Sequence, residues 1–132
     1  MGILNFFKTE EQTTVKKFQV KYIDGELKGF NNRVYCDVEL TETDFVIKNK
    51  ATGLTVSLDR NKITFIEIFE KGGSYLMKKG LSVIDENRYF VITYNQNGQS
   101  KNLDFMCNGV ISSVYKLRNI IMNGLNLSDY RI

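Results

Sequence analysis

The sequence predicts an α+β fold: about seven short antiparallel strands closed by one C-terminal helix. Three observations carry the prediction. Val34, Cys36, Val38 and Leu40 alternate with Tyr35, Asp37 and Glu39, which is the period of a half-buried strand. Asn97-Gly98 sits between two further alternating runs, 88–94 and 100–106, and an Asn-Gly step tolerates the positive φ that hairpin turns require. After Cys107 the period changes, and Val110, Val114, Leu117 and Ile121 recur at helical spacing. A small sheet that curls on itself leaves an open end, and an apolar helical stripe closes it compactly.

The elements follow in order. Val15 to Ile23 reads as the first strand, with Phe18, Val20 and Tyr22 on one side and Lys17, Gln19 and Lys21 on the other. Asp24-Gly25 marks a turn into a wet loop, 26–33. Val34 to Leu40, Phe45 to Lys48 and Leu54 to Leu58 are successive strands, separated by turns at 41–44 and 49–53. Asp59-Arg60-Asn61 is a third tight turn, and Lys62 to Phe69 is so dense in Ile and Phe that cover on both faces is expected. Gly72-Gly73 reads as a loop. Tyr75-Leu76-Met77 and Leu81 to Ile84 read as two short strands. Arg88 to Tyr94 and Ser100 to Met106 form the hairpin. Asn108 is placed to cap the final helix, which is expected to run to about Asn123 and to stop at Gly124.

At 132 residues the chain suits one domain with a proper core. The expected organisation is an apolar N-terminal segment and polar linker over 1–14, a domain over 15–125 and a tail over 126–132. The net charge of +3 is too small for the clustered basic face of a nucleic-acid binder. No apolar run reaches the length of a membrane-spanning helix, and the start lacks the architecture of a signal peptide. A cytoplasmic location is therefore expected. Richness in Asn, Lys and Ile, without Pro or Trp, suggests an AT-rich bacterial genome.

The segments 34–41 and 45–47, then 54–58 and 62–67, then 90–94, the Asn-Gly turn, 101–105 and the closing helix together resemble the pleckstrin-homology (PH) superfold. Within it, the small bacterial PH-like and GRAM-like modules are the nearest resemblance, which covers about Val15 to Gly124. It implies a PH-like barrel of about seven antiparallel strands capped by one helix. It also implies a docking function toward lipid headgroups, peptides, other proteins or further copies of the chain, with no cofactor. One departure is plain. The tight basic-x-Arg pair of phosphoinositide-binding members is missing, although Lys21, Lys28 and Arg33 lie in that region.

Histidine is absent, which removes Ser-His-Asp and Cys-His catalysis. Cys36 and Cys107 fall on the apolar phase and read as reduced core thiols. Without histidine they offer no metal-ligand set. Asp37, Glu39 and Asp104 lie on polar phases, so they read as a solvated sheet face rather than an acid/base pair.

Two features suggest contacts. Lys21, Lys28, Arg33, Lys48 and Lys50 could form a basic rim for an anionic ligand or an acidic partner. Ile3, Leu4, Phe6 and Phe7 concentrate apolar surface ahead of the polar linker, for packing on protein or for dipping into a bilayer interface. A myristoylation motif fails because Phe6 stands where Ser or Thr is required.

The expectation is a non-enzymatic docking module. It would bind a protein partner or itself, with weak peripheral contact at the inner face of the membrane as a further possibility and no nucleic acid. The alternative is a small barrel that catalyses or sequesters, using carboxylates or Tyr22, Tyr35 and Tyr94 around a pocket.

Overall fold

The computed structural model describes residues 12–129, with side chains through Asn123. It has seven strands: β1 (Val15–Asp24), β2 (Tyr35–Leu40), β3 (Asp44–Asn49), β4 (Thr55–Asp59), β5 (Ile63–Phe69), β6 (Tyr89–Gln96) and β7 (Gln99–Met106). A short helix, α1 (Gly72–Lys78), precedes β6, and a long one, α2 (Ile111–Asp129), ends the described chain. All pairings are antiparallel and the order is β4-β3-β2-β1-β7-β6-β5. The α+β class, with an antiparallel seven-stranded sheet and a C-terminal helix, is consistent with the PH-like arrangement expected from the sequence.

The order shows what bends the sheet. β1 is the hinge strand, pairing with β2 along its first part and with β7 near its end. Its register shifts between Val15 and Phe18 and again between Tyr22 and Asp24. Such irregularities bend a strand and increase its local twist. A third shift falls between Ile63 and Phe65 in β5. The two ends of the sheet thereby enclose one interior. Val20, Val38, Ile47, Ile66, Phe90 and Phe105 belong to a single buried cluster drawn from both halves.

The turns follow from their residues. Asn97 (φ 53°) and Gly98 (φ 81°) both take left-handed backbone, the two-residue hairpin turn expected there. The Thr41 hydroxyl accepts the Asp44 N–H at 2.9 Å and closes the β2–β3 turn. Asn49 is buried. Its carbonyl oxygen accepts the Ala51 N–H at 2.8 Å, and its amide donates to the Gly29 carbonyl at 2.9 Å. That second bond ties the 26–33 loop to the β3–β4 turn.

α2 buries Val114, Leu117 and Ile121 against the interior, resting on β5 and touching β1. Burying three such side chains contributes roughly 1.5–3 kcal/mol each. Two details of this helix differ from expectation. It continues through Gly124 to Asp129. Its start is a 3-10 turn, Asn108–Val110, and Asn108 does not cap it. Instead the Asn108 carbonyl oxygen accepts the Arg88 N–H at 2.6 Å, and its amide donates to the Asn87 side chain at 2.8 Å. The residue ties the helix entrance to the start of β6.

The region 72–84 is also corrected. Gly72-Gly73 opens α1 rather than a loop, Tyr75-Leu76-Met77 is helical, and Leu81 to Ile84 carries no regular structure. β5 is covered on both faces only toward its end. Phe69 is buried, whereas Phe65 is 46% exposed.

Candidate functional site

The outer face of β5, β6 and β7 is where local sequence builds something beyond a sheet. On the phase facing away from the interior stand Phe69, Tyr89 and Met106, and α1 lays Tyr75 over them to form a second buried cluster. Tyr75 stacks on Tyr89 with ring centroids 4.2 Å apart and meets Phe69 edge-on at 5.6 Å. Contacts of this kind add to simple area burial. α1 stops at Lys78, Gly80 just beyond it takes a φ of 89° that suits glycine, and the Leu81 N–H returns to the Leu76 carbonyl at 2.9 Å.

Beneath α1 lies Asp104. Its place on the polar phase predicts a solvated carboxylate, and the structure overturns that. Only 2% of it is exposed, because α1 covers this part of the face. The carboxylate accepts the Tyr75 hydroxyl at 2.6 Å and the Lys79 ammonium at 2.8 Å. Lys79 also reaches Asp24 at 3.2 Å. A buried charge without partners is costly, and these bonds are what make this one tolerable. Burial, followed by the hydrogen bond to Asp104, pushes the Tyr75 hydroxyl far above its ordinary value. Burial pulls the Lys79 ammonium down, but the bonds and charges of Asp104 and Asp24 outweigh it and hold the group above the usual lysine value. The three side chains form one cluster, with Asp104 bonded to both Tyr75 and Lys79 and the Lys79 ammonium 5.6 Å from the Tyr75 ring centre.

Beyond α1 the chain returns along 81–88. Gly72 permits the close approach: a Cβ there would stand 2.7 Å from Asp85 Cγ and 2.8 Å from the Asn87 carbonyl. Asp85 accepts the Asn87 N–H and the Tyr89 hydroxyl, both at 2.8 Å. Burial raises its carboxyl. These two bonds and the charge of Arg33 more than compensate and hold it below the ordinary range. Between α1 and this returning segment runs a groove of about 550 Å³, with Met77, Val83 and Ile84 along it and Glu70, Lys71 and Glu86 at its margins. Met77 is 67% exposed, Val83 54% and Ile84 93%; Leu81, in the same segment, is exposed as well. On the far side of Glu70, its carboxylate accepts the Tyr115 hydroxyl of α2.

The sequence-predicted basic residues are distributed otherwise. Strand pairing places Lys21 beside Tyr35 and Lys48 beside Asp37, and the Lys50 N–H joins the Tyr35 carbonyl at 3.0 Å. These three lysines therefore surround Tyr35 and Asp37 on the outer face of β1–β3. The Lys21 ammonium lies 5.0 Å from the Tyr35 ring centre, and Lys50 pairs with Asp37 at 3.7 Å. Arg33 takes left-handed backbone at φ 72°, and its charge acts on Asp85 and Tyr89 at the other site. Lys28 stands in the loop between. Ile3, Leu4, Phe6 and Phe7 lie outside the described residues.

Of the tyrosines weighed for a pocket, Tyr22 and Tyr94 are buried in the interior cluster and Tyr35 is 49% exposed. Cys36 and Cys107 are buried free thiols, pushed up by burial to about 11 and about 12. No helix among the described residues is long and apolar enough to cross a membrane.

Sequence reasoning missed the α1 groove. One signal was present: Gly72-Gly73 followed by exposed-type apolar residues 81, 83 and 84, interrupted by Ser82. No family model matches the chain, and no curated protein matches it.

Proposed function

We propose that this chain is a non-enzymatic docking module of the PH-like kind, acting in the cytoplasm and binding a protein partner through the groove beside α1. One observation carries the reading: Met77, Leu81, Val83 and Ile84 gather large exposed apolar side chains in one short stretch, alongside a groove of about 550 Å³. Contiguous exposed apolar surface of this kind is a mark of interaction sites. The polar cluster supports the same reading. Asp104, Tyr75 and Lys79 are bonded to one another, and their function is to hold α1 on the sheet so that the groove keeps its shape.

The test is a comparison of pull-downs from native lysate with the wild-type chain and with Ile84→Asp. Ile84 is almost wholly exposed, so the variant keeps the fold. Loss of specific partners from the variant is expected. An unchanged set of partners would sink the reading. Removal of residues 1–8 forms a second arm. If the N-terminal apolar segment touches membranes, the intact chain co-sediments with anionic liposomes and a chain starting at Thr9 does not.

A further inference from the structure

The chemistry of the groove narrows what occupies it. Its lining includes the exposed apolar side chains Met77, Val83 and Ile84, and methionine adapts to side chains of varied shape. Its lining holds three carboxylates, Glu70, Asp85 and Glu86, and the ammonium of Lys71; the charge of Arg33 acts on Asp85 and the Tyr115 hydroxyl bonds Glu70, while Glu86 has no hydrogen bond or ion pair among the described residues. The chain as a whole carries +3, so this rim runs against the overall charge. Asp85 is fixed as an anion by the Asn87 N–H and the Tyr89 hydroxyl. The main chain here lies outside every ladder: among the described residues, Ser82, Val83 and Ile84 make no backbone–backbone hydrogen bonds, and the Val83 carbonyl lies against Gly73 of α1. Open donors and acceptors beside apolar side chains are what an incoming extended chain pairs with.

The geometry points to an extended peptide segment of a partner protein, carrying an apolar side chain flanked by Lys or Arg, as the occupant of the groove between α1 and residues 81–86. The apolar side chain enters between Met77 and Ile84, and the flanking cations meet Glu86 and Glu70. A lipid surface fits less well, because the rim carboxylates would face headgroups that are themselves anionic. This inference rests on the docking reading and adds the chemistry of the partner.

A display library of random peptides, selected against the full chain, supplies the probe. Enriched peptides are then measured by fluorescence anisotropy. They are expected to combine an apolar residue with neighbouring Lys or Arg. Ile84→Asp should weaken them about tenfold or more, as loss of a central apolar anchor does. Glu86→Lys should weaken them about three- to tenfold, and added salt should weaken them as well. Both variants alter exposed side chains, and unchanged circular dichroism and thermal midpoint will show that each is folded.

Failure to enrich any peptide overturns the inference. So do enriched peptides without an excess of Lys or Arg, and peptides indifferent to either variant. Binding of phosphatidylserine vesicles that Ile84→Asp abolishes would assign the groove to lipid and overturn it too. None of these results is the failure of the docking reading itself, which is judged by the lysate comparison.

Discussion

The inner face of the sheet buries Phe45, Phe90 and Phe105 along with the apolar stripe of α2, whereas the outer face of β5–β7 buries Phe69, Tyr75 and Tyr89 beneath a helix of seven residues. The two cores are built on different physics. The inner one is continuous and apolar, fed by all seven strands and closed by the nineteen-residue α2. The outer one is small and mixed, combining stacked phenols with a carboxylate held by a tyrosine and a lysine. A helix as short as α1 has little stability of its own, so the contacts it makes are what form it. The fold is therefore secured on one face and furnished on the other, and the exposed apolar groove adjoins the furnished one.

The largest expected effect lies on the inner face. Phe105 is fully buried, stacks on Phe90 with centroids 5.1 Å apart and meets Phe45 edge-on at 6.4 Å. Phe105→Ala should cost about 3–5 kcal/mol in urea unfolding, from lost burial and the cavity left behind. A cost below about 1 kcal/mol would mean the interior is not the continuous core described.

The outer face should respond less. Gly72→Ala forces a Cβ into the Asp85 side chain and the Asn87 carbonyl, at a cost of about 1–3 kcal/mol, because backbone cannot yield as a flexible side chain does. Tyr75→Phe removes the hydroxyl that Asp104 accepts while leaving Lys79 in place, and should cost about 1–2 kcal/mol. Hydrogen exchange sharpens the contrast. The α1 amides should exchange through local opening, well before those of β6 and β7. Equal protection of α1 and the two strands would show that the two faces open as one unit.

The inner face was legible in the sequence and the outer one was not, for reasons that can be assigned to residues. Period-2 alternation from Val15 to Leu58 and the Asn97-Gly98 turn each specify strands by local rules, and the structure has them within a residue or two. Tyr75-Leu76-Met77 is too short to display a helical period, and its helix is imposed by Tyr89, Phe69 and Asp104 across the sheet. Asp104 sits on the polar phase of β7, and phase alone predicts water there. Only the return of α1 over that face makes the position an interior one. Asn108 does not cap the helix because a side chain suited to capping suits a neighbouring strand equally well, here the N–H of Arg88. The candidate groove escaped for the same reason as α1: it is made by chain packing on chain, between Gly72 and Asp85, and not by any repeat along one segment.

The smallest predicted effect separates the two faces by acid. Burial raises the Asp85 carboxyl, yet the Asn87 N–H, the Tyr89 hydroxyl and the charge of Arg33 leave it below the ordinary range in the folded chain. A carboxyl whose folded value is depressed contributes stability above its unfolded value, near pH ~3.9, and loses that contribution as pH falls through the folded value. The thermal midpoint should therefore decline as pH is lowered from about 5 toward 2, and Asp85→Asn should make the decline shallower. Asp85 bonds Tyr89, which stacks on Tyr75, so the loss falls on the outer face first. Among the described residues the buried polar or charged side chains are Asn49 and Asp104, and Asp104 belongs to the outer face. The packing of the inner cluster should thus persist to lower pH, and the amides of α1 should lose protection against hydrogen exchange at a higher pH than those of β2 and β3. Simultaneous loss of protection in both would remove the distinction between the two cores.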